Sequence, residues 1–396
     1  MTAIRLPEPG RCCFDQLPAT VERLLTGTTS GRALDEPLLR ERFDRVALVY
    51  LDAFGWWFVE RLWSHPLLAR ARADGLVMQL TSQFPSTTTA HVTTIASGLP
   101  VAEHGLYEWH VLEPSLDRLI TPLLFSFAGD RERDTLAGLL DPEGLFPAGA
   151  LAARLAAAGV RPIAVQPPEI ARSTPSRVLF RDADSLPADS TESALDAAAV
   201  ALTGTERVYA YVYLPHVDSL MHEIGPDDPS VDAAFAAALD AVAAASFPPG
   251  TLVLLTSDHG MSPIDPARTA YVNELWPGLG ACLLHGADGK PLAPAGSCRD
   301  LFLHVRDGEL RHVQSELAER LAGIADVVTT AALIEKGAFA APSERLRARL
   351  GNLVVLPYEG EAALWHEPER FVQRFRGQHG GLTPREMEIP LVAWVA

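Results

Sequence analysis

The run Val46-Ala-Leu-Val-Tyr-Leu51 shows no polar alternation, and Asp52 ends it. A strand of that kind needs apolar surroundings on both faces, which a parallel sheet covered by helices provides. A helical pattern rich in tryptophan follows from Trp56, then a second strand at Leu76–Leu80 and a helix over Thr88–Ser97 closed by Gly98. The alternation continues with a helix at Ala150–Ala158 ended by Gly159, a strand at Pro162–Val165, a helix at Ser193–Leu202 and a strand at Val208–Leu214. A helix at Phe235–Ala245 and a strand at Thr251–Leu255 complete it. Such alternation predicts βαβ units, hence an α/β fold with a mostly parallel central sheet flanked by helices. Asp52 and Asp258 stand at the carboxyl ends of these strands and Asp218 a few residues beyond one. In open α/β sheets that edge is where ligands bind.

At 396 residues the chain exceeds the roughly 250–300 residues at which one core stops growing. The expected organisation is a leading arm over 1–44, with an amphipathic stretch around Val21–Leu25, and a main domain over 45–396 carrying two insertions. The first, about 106–185, is rich in Pro and Arg. The second, about 264–375, holds a strand at Leu301–Val305, a helix at Val313–Leu321 and a strand at Leu353–Leu356. Both are expected to act as caps.

A formal net charge of −17 argues against a nucleic-acid polymer as partner, because phosphate backbones need a basic footprint. An anionic phosphate ester as substrate would instead need bound divalent cations, which dominate the local field wherever they sit. The N-terminus has no apolar run behind a basic start, so no signal peptide is expected. No stretch approaches the roughly 18 apolar residues of a membrane span. Cys12, Cys13, Cys282 and Cys298 lack Cys-x-x-Cys spacing and read as free thiols, which suits a cytoplasmic protein.

Four clusters carry chemistry: Asp52; Phe84-Pro-Ser-Thr-Thr-Thr-Ala-His91; Asp218-Ser-Leu-Met-His222-Glu-Ile-Gly225-Pro226; and Ser257-Asp258-His259-Gly260-Met261, with His379-Gly380-Gly381 as a late companion. Asp218 and His222 are four positions apart, so one helical turn sets both on one face. Carboxylate oxygen and imidazole nitrogen are donors that zinc accepts. Three aspartates and three histidines suit two metals better than one, since a single zinc takes three or four protein ligands. Two-metal sites clamp the attacking and leaving oxygens of an in-line phosphoryl displacement. A threonine hydroxyl is a weak nucleophile that metal coordination activates. Thr88, at the predicted helix start, would meet an incoming phosphoryl group with unpaired N–H groups and the helix dipole. Singly, each cluster has an ordinary reading: a loop aspartate, a surface Asp-x-x-x-His pair, a Ser/Thr helix cap at Thr87 or Thr89, a Gly-flanked turn at His379. Their joint occurrence, in this order and at strand ends, points to a metal centre.

These segments resemble the type I phosphodiesterase and nucleotide pyrophosphatase branch of the alkaline phosphatase superfamily. The family's strand-end Asp matches Asp52, its Phe-Pro-[Ser/Thr]-x-Thr matches Phe84 to Thr88, and Gly98-Leu99 and His104-Gly105 keep its spacing. Its Asp-x-x-x-His-x-x-Gly-Pro falls on Asp218, His222, Gly225 and Pro226, its Ser-Asp-His-Gly-Met on 257–261, and its Gly-x-His-Gly on Gly377, His379 and Gly380. The match covers about 45–264 and 376–396 and leaves the caps unmatched. The resemblance implies an alkaline-phosphatase-like sandwich, Thr88 as nucleophile, and two zinc ions. One would be held by Asp52, Thr88, Asp258 and His259, the other by Asp218, His222 and His379. One position departs: where the family has an asparagine whose amide donates to a nonbridging phosphate oxygen, this chain has Trp109. An indole offers one N–H and cannot copy an amide. Candidate replacements are the Trp109 indole, His91, His110 or a cap arginine. Trp109 alternatively walls an aromatic leaving group or fills the core beneath the cap.

The activity implied is metal-dependent hydrolysis of a small phosphodiester or nucleotide-type phosphoanhydride through a phospho-threonine intermediate. The alternative is a phosphomonoesterase or phosphonate hydrolase on the same site. A phosphosugar mutase would need a basic cap, for which Arg118, Arg131, Arg133, Arg154, Arg161 and Arg172 are present. A sulfatase is disfavoured because no Cys-x-Pro-x-Arg or Ser-x-Pro-x-Arg run occupies the nucleophile position. An inactive binding protein is disfavoured because none of the seven ligands is missing.

Overall fold

The computed structural model describes residues 4–147 and 150–396. Seven strands build the central sheet: β1 (Arg45–Leu51), β2 (Leu76–Thr81), β3 (Val160–Gln166), β4 (Asp184–Pro187), β5 (Arg207–Leu214), β6 (Leu252–Thr256) and β7 (Glu388–Val395). Their order across the sheet is β2-β7-β6-β1-β5-β3-β4. Only β7 runs antiparallel to its neighbours; the other six strands are mutually parallel. The central position of β1 accounts for its unbroken apolar run. Val46, Leu48 and Tyr50 enter one core cluster while Ala47, Val49 and Leu51 enter the other, so neither set faces water.

Helices cover both faces. Apolar residues of α1 (Leu17–Thr26), α4 (Thr88–Ser97) and α5 (Ala150–Ala157) pack on one side. Those of α2 (Trp56–Arg61), α3 (Pro66–Asp74), α6 (Thr191–Ala201), α7 (His216–Ile224) and α8 (Pro229–Ala244) pack on the other. The result is the alkaline-phosphatase-like α/β/α sandwich. Part of the leading arm is built into it: Phe14, Leu17, Val21, Leu24 and Leu25 are fully buried.

The first insertion is shorter than expected. Within 106–185, β3 and the start of β4 belong to the central sheet, because β3 is buried alongside β5 except at Arg161 and its alternate residues serve both cores. What stands outside is a small antiparallel sheet of Val111–Glu113, Arg118–Thr121 and Ser126–Phe127, with the loops that follow it to residue 147. The second insertion contains a four-stranded antiparallel sheet of Ala295–Gly296, Leu301–Leu303, Ala325–Thr329 and Leu353–Pro357. The helix Leu310–Arg320 covers it over a separate apolar cluster. The two insertions meet where the Gly296 N–H donates to the His110 carbonyl at 2.8 Å. Among the described residues no helix is long and apolar enough to cross a membrane.

Candidate active site

Chain topology delivers the acidic and imidazole side chains to one edge of the sheet. Asp52 follows β1 directly, Asp258 and His259 lie just past β6, and Asp218 and His222 ride on α7, which leaves β5. His379 directly follows a short strand, Gly377–Gln378, paired antiparallel with Ser262–Pro263. Thr88 is the first residue of α4. Its predecessor Thr87 is the N-cap, with Oγ1 accepting from the Ala90 N–H at 3.5 Å. Among the described residues the Thr88 and Thr89 N–H groups have no protein acceptor, as expected for the first turn of a helix.

Thr88 Oγ1 lies 3.2 Å from His259 Nε2. The same Nε2 is 3.5 Å from Asp52 Oδ1 and 3.3 Å from Asp258 Oδ2. His222 Nε2 is 3.4 Å from Asp218 Oδ2. Ring centroids of His259 and His379 are 3.6 Å apart and stacked, and His222 and His379 are 5.3 Å apart. All seven residues of the expected ligand set therefore converge.

Each of the three imidazoles is held by a backbone carbonyl. His222 Nδ1 donates to Gly377 at 2.8 Å, His259 Nδ1 to Gly260 at 2.9 Å, and His379 Nδ1 to Ser86 at 3.0 Å. A carbonyl only accepts, so the proton sits on Nδ1 and Nε2 presents its lone pair to the site. This is the arrangement that metal-binding histidines require. Burial holds His259 and His379 well below the usual histidine range, so both rings are neutral. Burial, followed by repulsion from Asp258 and Asp218, pushes Asp52 well above the carboxylate range, and burial takes Asp218 to about 6.

Among the described residues each of the three site aspartates has one buried oxygen with no hydrogen-bond partner: Asp52 Oδ1, Asp218 Oδ1 and Asp258 Oδ2. Such an orphan costs about 1–3 kcal/mol, and more when charged. Three of them facing three imidazole lone pairs fit divalent cations in donor type and charge. Two overlapping donor groups lie within 4.8 Å, one of Asp52, Asp258 and His259, the other of Asp218, His259 and His379. His259 thus belongs to both groups, where the resemblance assigned it to one. His222 stands at the margin of the second.

Glycines make the close approaches possible. A Cβ on Gly260 would lie 2.0 Å from the Arg385 carbonyl oxygen. Gly380 has φ +126°, and a Cβ there would meet Glu108 Oε1 at 2.8 Å and Asp300 Oδ1 at 2.9 Å. Those two acids face each other beneath the His379 loop. Burial raises Glu108 to about 8, and burial with the Glu108 charge raises Asp300.

The site opens into a cavity of about 610 Å³ between the sheet edge and both insertions. Trp109 and His110 line it, and Trp109 is 41% exposed, so it is a wall of the cavity and not core filling. His110 Nδ1 is engaged with Thr121 Oγ1 at 3.0 Å. His91 is a correction: it is fully buried and is not among the lining residues. Its Nδ1 donates to the Thr87 carbonyl at 2.7 Å and its Nε2 accepts from the Gln83 N–H at 2.9 Å, so both nitrogens are spent on holding the loop after β2 against α4. Of the six cap arginines considered, only Arg133 lines the cavity; Arg370, from the second insertion, joins it.

Sequence reasoning missed Tyr213 and Gln166. The Tyr213 hydroxyl donates to Asp52 Oδ2, and Gln166 lines the cavity. Each is a polar tip at the carboxyl end of an apolar strand, the same signal that singled out Asp52.

The profile of the type I phosphodiesterase / nucleotide pyrophosphatase family matches residues 46–382. No curated protein sequence matches significantly. Among solved structures, the chain is similar to murine ectonucleotide pyrophosphatase/phosphodiesterase 5, solved in an inactive form with AMP, at TM-score 0.63 and 17% identity over 88% of this chain and 87% of that one. The human counterpart aligns at TM-score 0.62 and 16% identity over the same shares, 88% and 87%. Phosphonoacetate hydrolase from Sinorhizobium meliloti 1021, in complex with phosphonoformate, aligns at TM-score 0.62 and 18% identity over 88% and 89%. At these identities the structural likeness concerns the fold, while the family follows from the match over most of the sequence. The chain belongs to the type I phosphodiesterase/nucleotide pyrophosphatase family of phosphoric ester hydrolases.

Proposed function

We propose that this chain hydrolyses a small phosphodiester or a nucleotide-type phosphoanhydride, with Thr88 as nucleophile at a centre of two divalent cations, zinc by donor type. The observation that carries the reading is Thr88 Oγ1 at the start of α4, 3.2 Å from His259 Nε2, beside three carboxylates that each hold one buried, orphaned oxygen. The residues to hold the cations are Asp52, Asp258 and His259 on one side and Asp218, His222 and His379 on the other. When bound, such ions lower the pKa of a coordinated hydroxyl and neutralise developing charge on phosphoryl oxygens.

Within that frame the protein's own groups divide the work. Thr88 gives its hydroxyl proton to solvent, Oγ1 forms a bond to phosphorus as the bond to the leaving oxygen breaks, and the leaving group takes a proton from solvent. The free N–H groups of the first turn of α4 face the transferred group and stabilise its negative charge. Water then attacks phosphorus and releases Thr88. The carbonyls of Gly377, Gly260 and Ser86 keep the three imidazoles oriented throughout, and Tyr213 fixes one oxygen of Asp52.

Replacing Thr88 by Ala should lower kcat on bis(4-nitrophenyl) phosphate by at least about 10³-fold, since the nucleophile is gone. Acid-quenched wild-type enzyme should carry a covalent adduct on Thr88 by mass spectrometry. Full turnover by the Thr88→Ala protein would sink the reading. A second reading, phosphonate or phosphomonoester hydrolysis, is favoured by Trp109 standing where the family's diester-handling branch has an amide. Parallel rates on 4-nitrophenyl phosphate and the bis ester separate the two.

A further inference from the structure

If the family's amide is missing at position 109, the cavity should be searched for another uncharged donor. Gln166 is 2% exposed, ends β3 and lines the cavity together with Asp52, Thr88 and Tyr213. Its backbone carbonyl accepts from Ala188 at 3.0 Å. Among the described residues its side-chain amide has no hydrogen-bond partner in the protein, and it is not one of the sealed-off polar groups, so it is open to the cavity and free to bond what enters there. The register explains where it points. Ala164 pairs with Tyr211 and Val165 with Val212, so Gln166 lies beside Tyr213 and, by strand alternation, on the same face of the sheet. From that face the Tyr213 hydroxyl reaches Asp52. The register sets Gln166 level with Tyr50, two strand spacings away, and Asp52 two residues further along, so their backbones are roughly 12 Å apart, a span that a glutamine side chain and a cation-bound phosphoryl group fill together.

Gln378, half-buried on the short strand before His379, also lines the cavity, while the larger donors around it are held by other groups or exposed. Gln373 gives its amide nitrogen to Cys298 Sγ at 3.0 Å and its oxygen to the Arg374 and Phe375 N–H groups. Arg370 is held by Glu367 at 2.6 Å and by the Ala128 carbonyl at 2.7 Å. Arg133 is exposed at the mouth, 3.3 Å from the Leu123 carbonyl. The Trp109 indole sits on the solvent-facing wall.

We propose that the Gln166 amide donates to a nonbridging oxygen of the phosphoryl group held beside Thr88, a proposal that rests on the hydrolase reading above. An uncharged donor at this depth, with Arg370 held by other groups and Arg133 exposed, matches the single charge of a diester more closely than the double charge of a monoester.

The test compares wild type, Gln166→Ala, Gln166→Glu and Thr88→Ala, all loaded with zinc. Binding of inorganic phosphate is measured by calorimetry and turnover of bis(4-nitrophenyl) phosphate by absorbance. Gln166→Ala should weaken phosphate binding about 10-fold and lower kcat/KM about 10²-fold, chiefly through kcat. Gln166→Glu should lose more, since a carboxylate would face the phosphoryl oxygens. Melting temperature and bound zinc should match wild type. The proposal is overturned if Gln166→Ala binds phosphate within twofold of wild type, even with ester turnover impaired, because the amide would then touch only the organic group. It is also overturned if the losses come with less bound zinc or a lower melting temperature. Full turnover by Thr88→Ala would instead remove the nucleophile assignment, and the phosphate arm would still decide the role of Gln166.

Discussion

Single residues at strand ends carry most of the chemistry. Asp52, Asp258 and His259 were legible because an apolar strand that stops at a charged residue is costly to bury without a purpose. Tyr213 and Gln166 sit in equivalent positions and were passed over, since uncharged polar groups at strand ends are common. His91 was misread for the opposite reason. Its place three residues after Thr88 suggested the site, but whether an imidazole faces a cavity or a neighbouring loop depends on contacts that sequence spacing does not encode. The residue scale also yields a sharp steric expectation. Gly260→Ala sets a Cβ 2.0 Å from a backbone oxygen of Arg385, an atom that cannot swing aside. The loop carrying His259 must move, so stability should drop by about 2–3 kcal/mol in a urea melt and zinc should bind at least about tenfold more weakly by competition with a chromophoric chelator.

At the scale of elements, the strands and helices with strong periodicity appear where expected, as β1, β2, β3, β5 and β6, whereas β4, short and largely exposed, carries no such pattern. The helix over Thr88–Ser97 ends at Gly98 with φ +76°, as its sequence requires. The strand β7 was not anticipated. It is antiparallel and carries Pro390, a residue usually kept to sheet edges, yet it lies between β2 and β6. One buried ion pair ties the second insertion to the segment between His379 and β7. Arg299 donates to both carboxylate oxygens of Glu386, at 3.0 and 2.9 Å, with both residues fully buried. Glu386 also accepts from the Gly381 N–H at 3.0 Å and the Thr383 hydroxyl at 2.6 Å. Arg299→Met would strand that carboxylate, and equilibrium unfolding should show a loss of about 3–5 kcal/mol. A substitution of both partners by apolar residues should recover part of it.

For the whole molecule, burial of titratable groups predicts a stability optimum bounded on both sides. Burial takes His104 to about 3 and His304 to about 4, from an ordinary 6.5. The unfolded chain therefore binds protons first as pH falls, and stability present above 6.5 is lost toward the folded values. Glu108 has the reverse shift, from 4.5 to about 8. Its folded form holds a proton that the unfolded form releases, so stability falls as pH rises between those values. Melting temperature should peak between about pH 5 and 7, and Glu108→Gln should flatten the alkaline limb while leaving the acid limb in place. An unchanged alkaline limb in that variant would remove Glu108 as its cause.

The α/β class, the places of five of the seven sheet strands and the acids and imidazoles near their ends are legible in the sequence, because strand burial and helix caps are written in neighbours a few residues apart. The proton that each histidine keeps, the position of His259 within reach of both donor groups, and the presence of Gln166 in the cavity wall are set by the tertiary structure. Those depend on partners far off in the chain, such as the Ser86 carbonyl that orients His379 across 293 residues, and no local pattern specifies them.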